Sequence, residues 1–525
     1  MTVQAPAADA GLPRESTTLF RNVSSRYVAI AIELVIGLAM LPFNVAHLGQ
    51  AAYGLWVLTA SITAYFSILD LGYMGAIVRF VAHYRARGDA RALNEIVSTL
   101  FAVFCGVGLV AGLAGVVIAL NLERLFTLNG AEAAQGRTVL LLLTLGVGCG
   151  FPFAVFGGVV NGFQRYDLNN VVGIASSVIT AAVNVAVLSA GYGLTTLVAA
   201  TTAVRLATFV VYRRNAYRVF PDLRVSARYI SRDRLREVTL FSIYVSISDW
   251  AATLNYSVDA LVVGAFLGVS AVAVWSVAQR VADGVVRVTN QLSDVLLPAF
   301  VDHAAASRTD RLAVLLVQAT RLSLAAVIAI GTSVAVLASP LVMAWVGPSF
   351  ASSVLVLQLL VLCAIVRVGI STSLTLLKGS GRHRFVAAVT SGMAVANLGL
   401  SLLLVRRLGY SGVALGTLVP IAAAACVLTF PAACRRVNMP VRTAFGSAVW
   451  PAVWPGLVIA LLLALTRSWI GASLLGLGAA LAAGVATYAL LFFFLAIDRE
   501  DRRRYLAATD GLRVRLPLRA VSEGA

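Results

Sequence analysis

Residues 275–299 have the length and apolar content of a membrane-spanning helix, yet they carry Arg280, Asp283, Arg287, Asn290, Gln291 and Asp294. At about 100° per residue, these six fall within one arc of about 100°. Four ionisable groups on one face of a membrane helix are costly unless that face meets water or partners. Such a stripe marks a functional site by default. The other reading is a structural network. Arg280/Asp283 and Asp283/Arg287 have i,i+3 and i,i+4 spacing and can neutralise each other.

Three more apolar segments carry polar residues on one face. The segment centred near Val35 places Asn22, Arg26, Glu33 and Asn44 within about 40° of one another, and Pro42 is expected to kink it. The segment near Ser61 aligns Trp56, Thr59, Thr63, Phe66 and Asp70. The segment near Ala251 aligns Ser242, Ser246, Asp249, Thr253 and Tyr256, with Asp259 beside them. Arg26 reads equally as an interfacial anchor, and Asp70 as a structural or a gating acid. Arg205, Arg321 and Arg367 read as snorkelling or packing residues.

The elements that must position these residues are membrane helices. The 525-residue chain is 60% hydrophobic and 12% charged, with mean hydropathy +0.89. Soluble domains carry about 25% charged residues. Fourteen segments reach the roughly 20 apolar residues that a bilayer requires, centred near Val35, Ser61, Val107, Gly146, Val178, Ala203, Ala251, Gly284, Ile328, Ile365, Val395, Ala422, Leu461 and Val485. The net charge of +18 sits mainly between these segments, so it reads as topology and not as a nucleic-acid site. With the N-terminus inside, 31 cations fall in inside segments and five in outside ones. Both termini are therefore expected in the cytosol. The five cysteines show no CxxC and the four histidines no metal spacing, so neither disulfide nor metal is expected.

The chain also repeats itself. His47-Leu48-Gly49…Trp56 is echoed by Phe266-Leu267-Gly268…Trp275, a shift of 219. Gly162-Phe163-Gln164-Arg165 is echoed by Gly379-Ser380-Gly381-Arg382, and Gly191-Tyr192-Gly193 by Gly409-Tyr410-Ser411, at shifts of 217 and 218. Six helices per unit, an even number, make the repeats parallel, with a pseudo-twofold axis along the membrane normal and a site at their interface. The expected fold is all-α and polytopic, with about 14 transmembrane helices in two six-helix lobes plus two C-terminal helices. The expected divisions are a cytosolic tail over 1–20, an N-lobe over 21–212, a basic linker over 213–236, a C-lobe over 237–434, two helices over 445–496 and a basic tail over 497–525.

Residues 41–89 and 256–300 carry the motifs that place the chain. They are the Leu48-Gly49…Tyr53-Gly54-Leu55-Trp56 run ending in Asp70-Leu71-Gly72, the membrane acid Asp259, and the Leu267-Gly268…Trp275 run. Together they resemble the Wzx-type polysaccharide flippases of the multidrug/oligosaccharidyl-lipid/polysaccharide exporter superfamily. In length, helix count and repeat the resemblance covers about residues 20–496. It implies a transporter, not an enzyme, that flips undecaprenyl-diphosphate-linked oligosaccharides across the bacterial inner membrane. Under it, Arg280, Arg287 and Arg26 are the candidates for the diphosphate, because guanidinium forks suit phosphate oxygens. Trp56, Trp250 and Tyr256 are the candidates to stack on sugars, and Ser246, Thr253 and Asn290 to bond hydroxyls. Glu33, Asp70, Asp249, Asp259, Asp283 and Asp294 are the candidates for ion coupling or gating, with a proton or sodium ion as the coupling ion and no other cofactor. The implied partners are the lipid-linked oligosaccharide, membrane lipids, and a polysaccharide polymerase with its chain-length machinery; nucleic acid is not among them. The competing readings are a lipid II-type or multidrug exporter of the same superfamily. A membrane glycosyltransferase or polymerase fits less well, because the outside loops are short.

Overall fold

The computed structural model describes the backbone of residues 12–239, 242, 250, 258–306, 308–470 and 473–503, and side chains from residue 31 onward except 290–299 and 305. Among them every regular element is helical. The principal helices are α1 (Leu12–Ala64), α2 (Tyr73–Ala86), α3 (Ala90–Leu120), α4 (Gly130–Gly162), α5 (Tyr166–Ser189), α6 (Leu194–Val219), α7 (Asp259–Leu267) and α8 (Val269–Ala305). They continue as α9 (Thr309–Val336), α10 (Ser353–Gly379), α11 (His383–Leu408), α12 (Tyr410–Ala423), α13 (Phe430–Arg436), α14 (Trp450–Thr466) and α15 (Leu474–Leu491).

Among the described residues, twelve segments are long and apolar enough to cross a membrane. One of them, Ala31–Asp70, holds the first two expected spans, and the span expected near Ala251 lies largely outside the described residues. Thirteen of the fourteen expected spans fall in these segments. The break in α1 is at Gly49, not at Pro42: Gly49 has φ 78° and ψ 165°, a region that side chains exclude. Gly268, its counterpart in the repeat, separates α7 from α8 with φ 86° and ψ 174°. Gln164 and Gly381 share positive φ (61° and 78°), as do Gly191 and Gly409 (82° and 55°). The repeat seen in the letters is thus also a repeat in the backbone.

Two compact units make up the chain: residues 1–280 with 390–417, and residues 281–389 with 418–525. They are set by contact and do not coincide with the halves of the repeat, since 390–417 groups with the first. In the first unit, Gly54 lies so close to the backbone of Val269 that any Cβ would strike the Val269 carbonyl oxygen. The Ala273 nitrogen stands 3.2 Å from the same point. Ala273 is the repeat counterpart of Gly54, and a residue that meets its own counterpart marks a local twofold. One core of the unit joins Ile77, Phe80, Leu100, Phe104, Phe156 and Val159 from α2, α3 and α4.

A strap closes this unit. Asn94 on α3 donates to the Asp222 carbonyl at 3.0 Å and accepts the Arg224 N–H at 2.8 Å, and Thr99 accepts the Ser231 N–H at 3.0 Å. Arg234 bonds Glu95 at 3.3 Å, Glu237 at 3.2 Å and the Tyr84 hydroxyl at 2.6 Å. Burial and the Glu237 contact both push the Tyr84 hydroxyl pKa up. The basic stretch therefore begins inside α6 and then binds back onto α3.

In the second unit, α9 packs against α10, α14 and α15. The Tyr488 hydroxyl donates to the Ala452 carbonyl at 2.6 Å and ties α15 to α14. Arg321 of α9 does not snorkel: it is only 4% exposed and donates to Asp501 at 2.6 Å. Arg502 caps the end of the last span by donating to the Phe493 and Phe494 carbonyls.

Gly54→Ala is expected to lower the thermal midpoint in detergent, by the equivalent of about 1–3 kcal/mol of overpacking. Gly106→Ala, where a Cβ meets open space, should leave it unchanged. Asp501→Ala removes a partner of a buried arginine and is expected to destabilise the protein by about 3 kcal/mol, read from the same melting curve.

Candidate functional site

The first unit encloses a cavity of about 940 Å³. Glu33 of α1 and Thr63, Ser67 and Asp70 at its end form one wall. Asn161 of α4, Asn169 and Asn170 of α5, and Arg205, Phe209 and Tyr212 of α6 form the others. Glycines make the space: Gly150 and Gly157 of α4 both line the cavity, and the Phe209 ring lies 3.1 Å from where a Gly150 Cβ would stand. Asn169 donates to Asn161 at 2.8 Å and to the Gly157 carbonyl at 2.9 Å, which fixes the amide row. Asp70 accepts the Met74 N–H at 3.2 Å, so it also anchors the start of α2. Amides, two carboxylates and an arginine among aromatic rings suit a ligand rich in hydroxyls.

Arg280 reaches the same face of α1. Its Nη2 lies 2.7 Å from where a Gly37 Cβ would stand. Gly37 is four residues beyond Glu33, about 6 Å along the helix on the same face. The first arginine of the charged stripe therefore sits one helical turn from a carboxylate of the cavity wall. Asp283 is half-buried and Arg287 exposed further along α8.

A second polar centre surrounds Asp259, which opens α7 and is 4% exposed. Thr417 of α12 donates to its Oδ2 at 3.0 Å. Asn397 of α11 accepts from Ser401 at 3.1 Å and from Thr417 at 3.4 Å. All four residues are buried. The Tyr65 hydroxyl lies within Coulombic reach of Asp259. Its oxygen is buried without a hydrogen-bond partner among the described residues. A buried carboxylate bonded by one hydroxyl is a site where a proton or small cation can compensate the charge.

Residues 19–303, more than half of the chain, match the family described as polysaccharide biosynthesis protein. The chain belongs to that family. It is 26% identical over 121 residues to the uncharacterized membrane protein EpsK of Bacillus subtilis (strain 168), a match spanning 23% of this chain and 24% of EpsK. Its fold is similar to that of the lipid II flippase MurJ in an inward closed conformation, with a TM-score of 0.70 at 11% identity over 94% of this chain and 99% of MurJ. It is also similar to an inward-facing multidrug resistance MATE family transporter of the MOP superfamily, with a TM-score of 0.64 at 16% identity over 77% of this chain and 94% of that one. These likenesses uphold the resemblance read from the Gly49, Asp70 and Gly268 motifs. The chain is a multi-pass membrane protein.

Of the residues singled out from this family member's sequence, the structure brings Glu33 and Asp70 to one cavity and Arg280 to its edge. Trp56 does not line that cavity; its ring meets Tyr53 edge-on at 6.1 Å. Trp250 donates its indole N–H to the Ile68 carbonyl at 2.7 Å. Asp259 sits in its own buried network and not in that cavity. Ser246, Asp249, Thr253 and Tyr256, and the side chains of Arg26, Asn290 and Asp294, lie outside the described residues. Arg205, read as a snorkelling or packing residue, lines the cavity. Asn161, Asn169, Asn170, Tyr212, Asn397 and Thr417 were missed. Amides inside apolar spans were the available signal.

Trp250→Phe keeps the ring and removes the donor to Ile68. It is expected to lower stability by about 1–2 kcal/mol by stranding that carbonyl. A thermal midpoint equal to wild type would show that the bond contributes nothing.

Proposed function

We propose that this protein flips a prenyl-diphosphate-linked oligosaccharide across the bacterial inner membrane for polysaccharide assembly. The observation that carries this reading is the cavity of about 940 Å³, walled by carboxylates, amides, an arginine and aromatic rings, in a member of the polysaccharide biosynthesis protein family. Such a volume is at the upper end of ligand sites, which run to about 1,000 Å³. The glycan occupies it, with Asn161, Asn169, Asn170, Glu33 and Asp70 on its hydroxyls and Phe209 or Tyr212 against sugar faces. Arg280 and Arg287, with Arg26, hold the diphosphate near the cavity mouth. Tyr256, Ser246, Thr253 and Asn290 are further candidates for the glycan contact. The prenyl tail stays in lipid.

The lobes over 21–212 and 237–434 rock about the pseudo-twofold and expose the cargo to each side in turn. Asp259 takes up the coupling ion, a proton or sodium ion. Its neutralised form removes a buried charge and so favours one of the two conformations. Asp249, Asp283 and Asp294 are the other acids that can serve. Both termini lie in the cytosol, and the flipped product passes to a polymerase with its chain-length machinery.

The test is transport into vesicles containing the purified full chain, with prenyl-diphosphate oligosaccharide in one arm and a cationic drug in the other. Glycolipid uptake that falls at least tenfold in Arg280→Ala and Arg287→Ala, and that loses its dependence on an imposed proton or sodium gradient in Asp259→Asn, is the expected result. Drug uptake without glycolipid uptake would overturn the reading in favour of a multidrug antiporter. Normal glycolipid uptake by both arginine variants would overturn the diphosphate assignment.

A further inference from the structure

Between Asp310 and Asp498 the chain has no Asp or Glu, while the same stretch holds twelve Lys and Arg residues. Each of those charges must find its counter-charge elsewhere. Arg321 takes Asp501. Arg382 and Arg435 have no ion-pair partner among the described residues, and both line one cleft of about 140 Å³.

The cleft is built where two chain reversals meet. Gly381 stands at φ 78°, and the Arg382 N–H donates to the Leu377 carbonyl at 2.9 Å, which fixes Arg382 directly before α11. Arg435 lies in the last turn of α13. Ala432 lines the cleft from a buried cluster that it shares with Leu377 and Val386. The remaining walls are Phe385, Val427 and Leu428. Val427 and Leu428 belong to a π-helical segment, Ala424–Thr429, whose Thr429 hydroxyl donates to the Ala424 carbonyl at 3.0 Å. A π segment inside a helix frequently accompanies a functional site.

The placement matters as much as the charge. Val427 and Leu428 are 66% and 44% exposed within the membrane-spanning segment Tyr410–Arg436, so they face lipid chains. The two arginines stand at one end of that segment, at the border of the apolar belt. A free inorganic anion has no use for an apolar wall, and an acyl chain has no use for two guanidinium groups. A molecule with a phosphate at the border and hydrocarbon below it uses both.

We propose that this cleft binds the phosphodiester headgroup of an anionic phospholipid, with Arg382 and Arg435 on the phosphate oxygens and an acyl chain along Val427 and Leu428. The proposal does not depend on the transport reading. Bound lipid neutralises charges that the acid-free stretch cannot and pins the turn between α10 and α11 to the end of α13.

The test compares the delipidated full-length protein with two double variants of equal net charge, Arg382→Gln/Arg435→Gln in the cleft and Arg384→Gln/Arg436→Gln beside it. Each is titrated with phosphatidylglycerol, phosphatidylcholine or inorganic phosphate. Binding is read by lipid retention in native mass spectrometry and by the shift in melting temperature. Wild type and the neighbouring variant are expected to retain phosphatidylglycerol in preference to phosphatidylcholine. The cleft variant should bind it on the order of thirtyfold more weakly, about fivefold for each arginine near the surface. If the cleft double variant does not purify, Arg435→Gln alone should lose about fivefold. Equal losses in both double variants would overturn the site, as would an unchanged cleft variant. Phosphatidylcholine retained as well as phosphatidylglycerol, or inorganic phosphate giving the same stabilisation at matched concentration, would overturn its assignment to an anionic lipid.

Discussion

A charge inside a membrane-spanning protein must find its counter-charge, a hydrogen-bonding partner or water within the protein, because hydrocarbon offers none. This constraint accounts for most of the polar architecture. Asp259 accepts from the Thr417 hydroxyl, which also neighbours the buried Asn397 and Ser401. Arg321 is matched by an acid drawn from beyond the last span. Glu33, Asp70 and Arg205 share a cavity large enough to hold cargo or water. Where a span lacks such a solution of its own, the chain supplies one from far away in sequence, and the resulting contact is long-range by necessity.

Duplication provides the frame on which these solutions are placed. Gly49 and Gly268 make the same backbone break, and Gly54 meets the backbone beside its own counterpart Ala273. The frame is symmetric and the chemistry is not. Near Ser61 the first half carries a single acid, Asp70, whereas residues 275–299 carry two arginines and two acids. The cavity draws all its walls from the first half, while the Asp259 network draws its residues from the second. Divergence after duplication thus left a polar cavity in one half and a buried carboxylate in the other.

The strap across α3 ties the basic stretch back onto the first unit. Asn94, Ser98 and Thr99 take up backbone groups of residues 222–231 much as a neighbouring strand would, and Arg234 joins Glu95, Glu237 and Tyr84 in one charged cluster. A basic linker that reads as a topology signal is therefore also a brace on the helices around the cavity. Charge-assisted bonds at a solvated end cost less to form than in the apolar belt, so the brace sits outside the spans.

The sequence alone determined that this is an all-helical membrane protein built from a repeat, because apolar length and backbone-breaking glycines are local properties, legible residue by residue. It also marked Glu33, Asp70, Asp259 and Arg280, because a charge in an apolar run stands out without knowledge of its neighbours. Only the tertiary structure decided which of them share a site. Arg205 became a cavity residue because α6 packs beside α1, α4 and α5, which supply the other walls. Trp250, marked for stacking on sugars, spends its indole N–H on the Ile68 carbonyl. Arg321 became a paired ion because Asp501, 180 residues away, folds back onto it. Helical periodicity fixes the face on which a side chain lies; what that face meets depends on packing between helices distant in sequence, which no local pattern encodes.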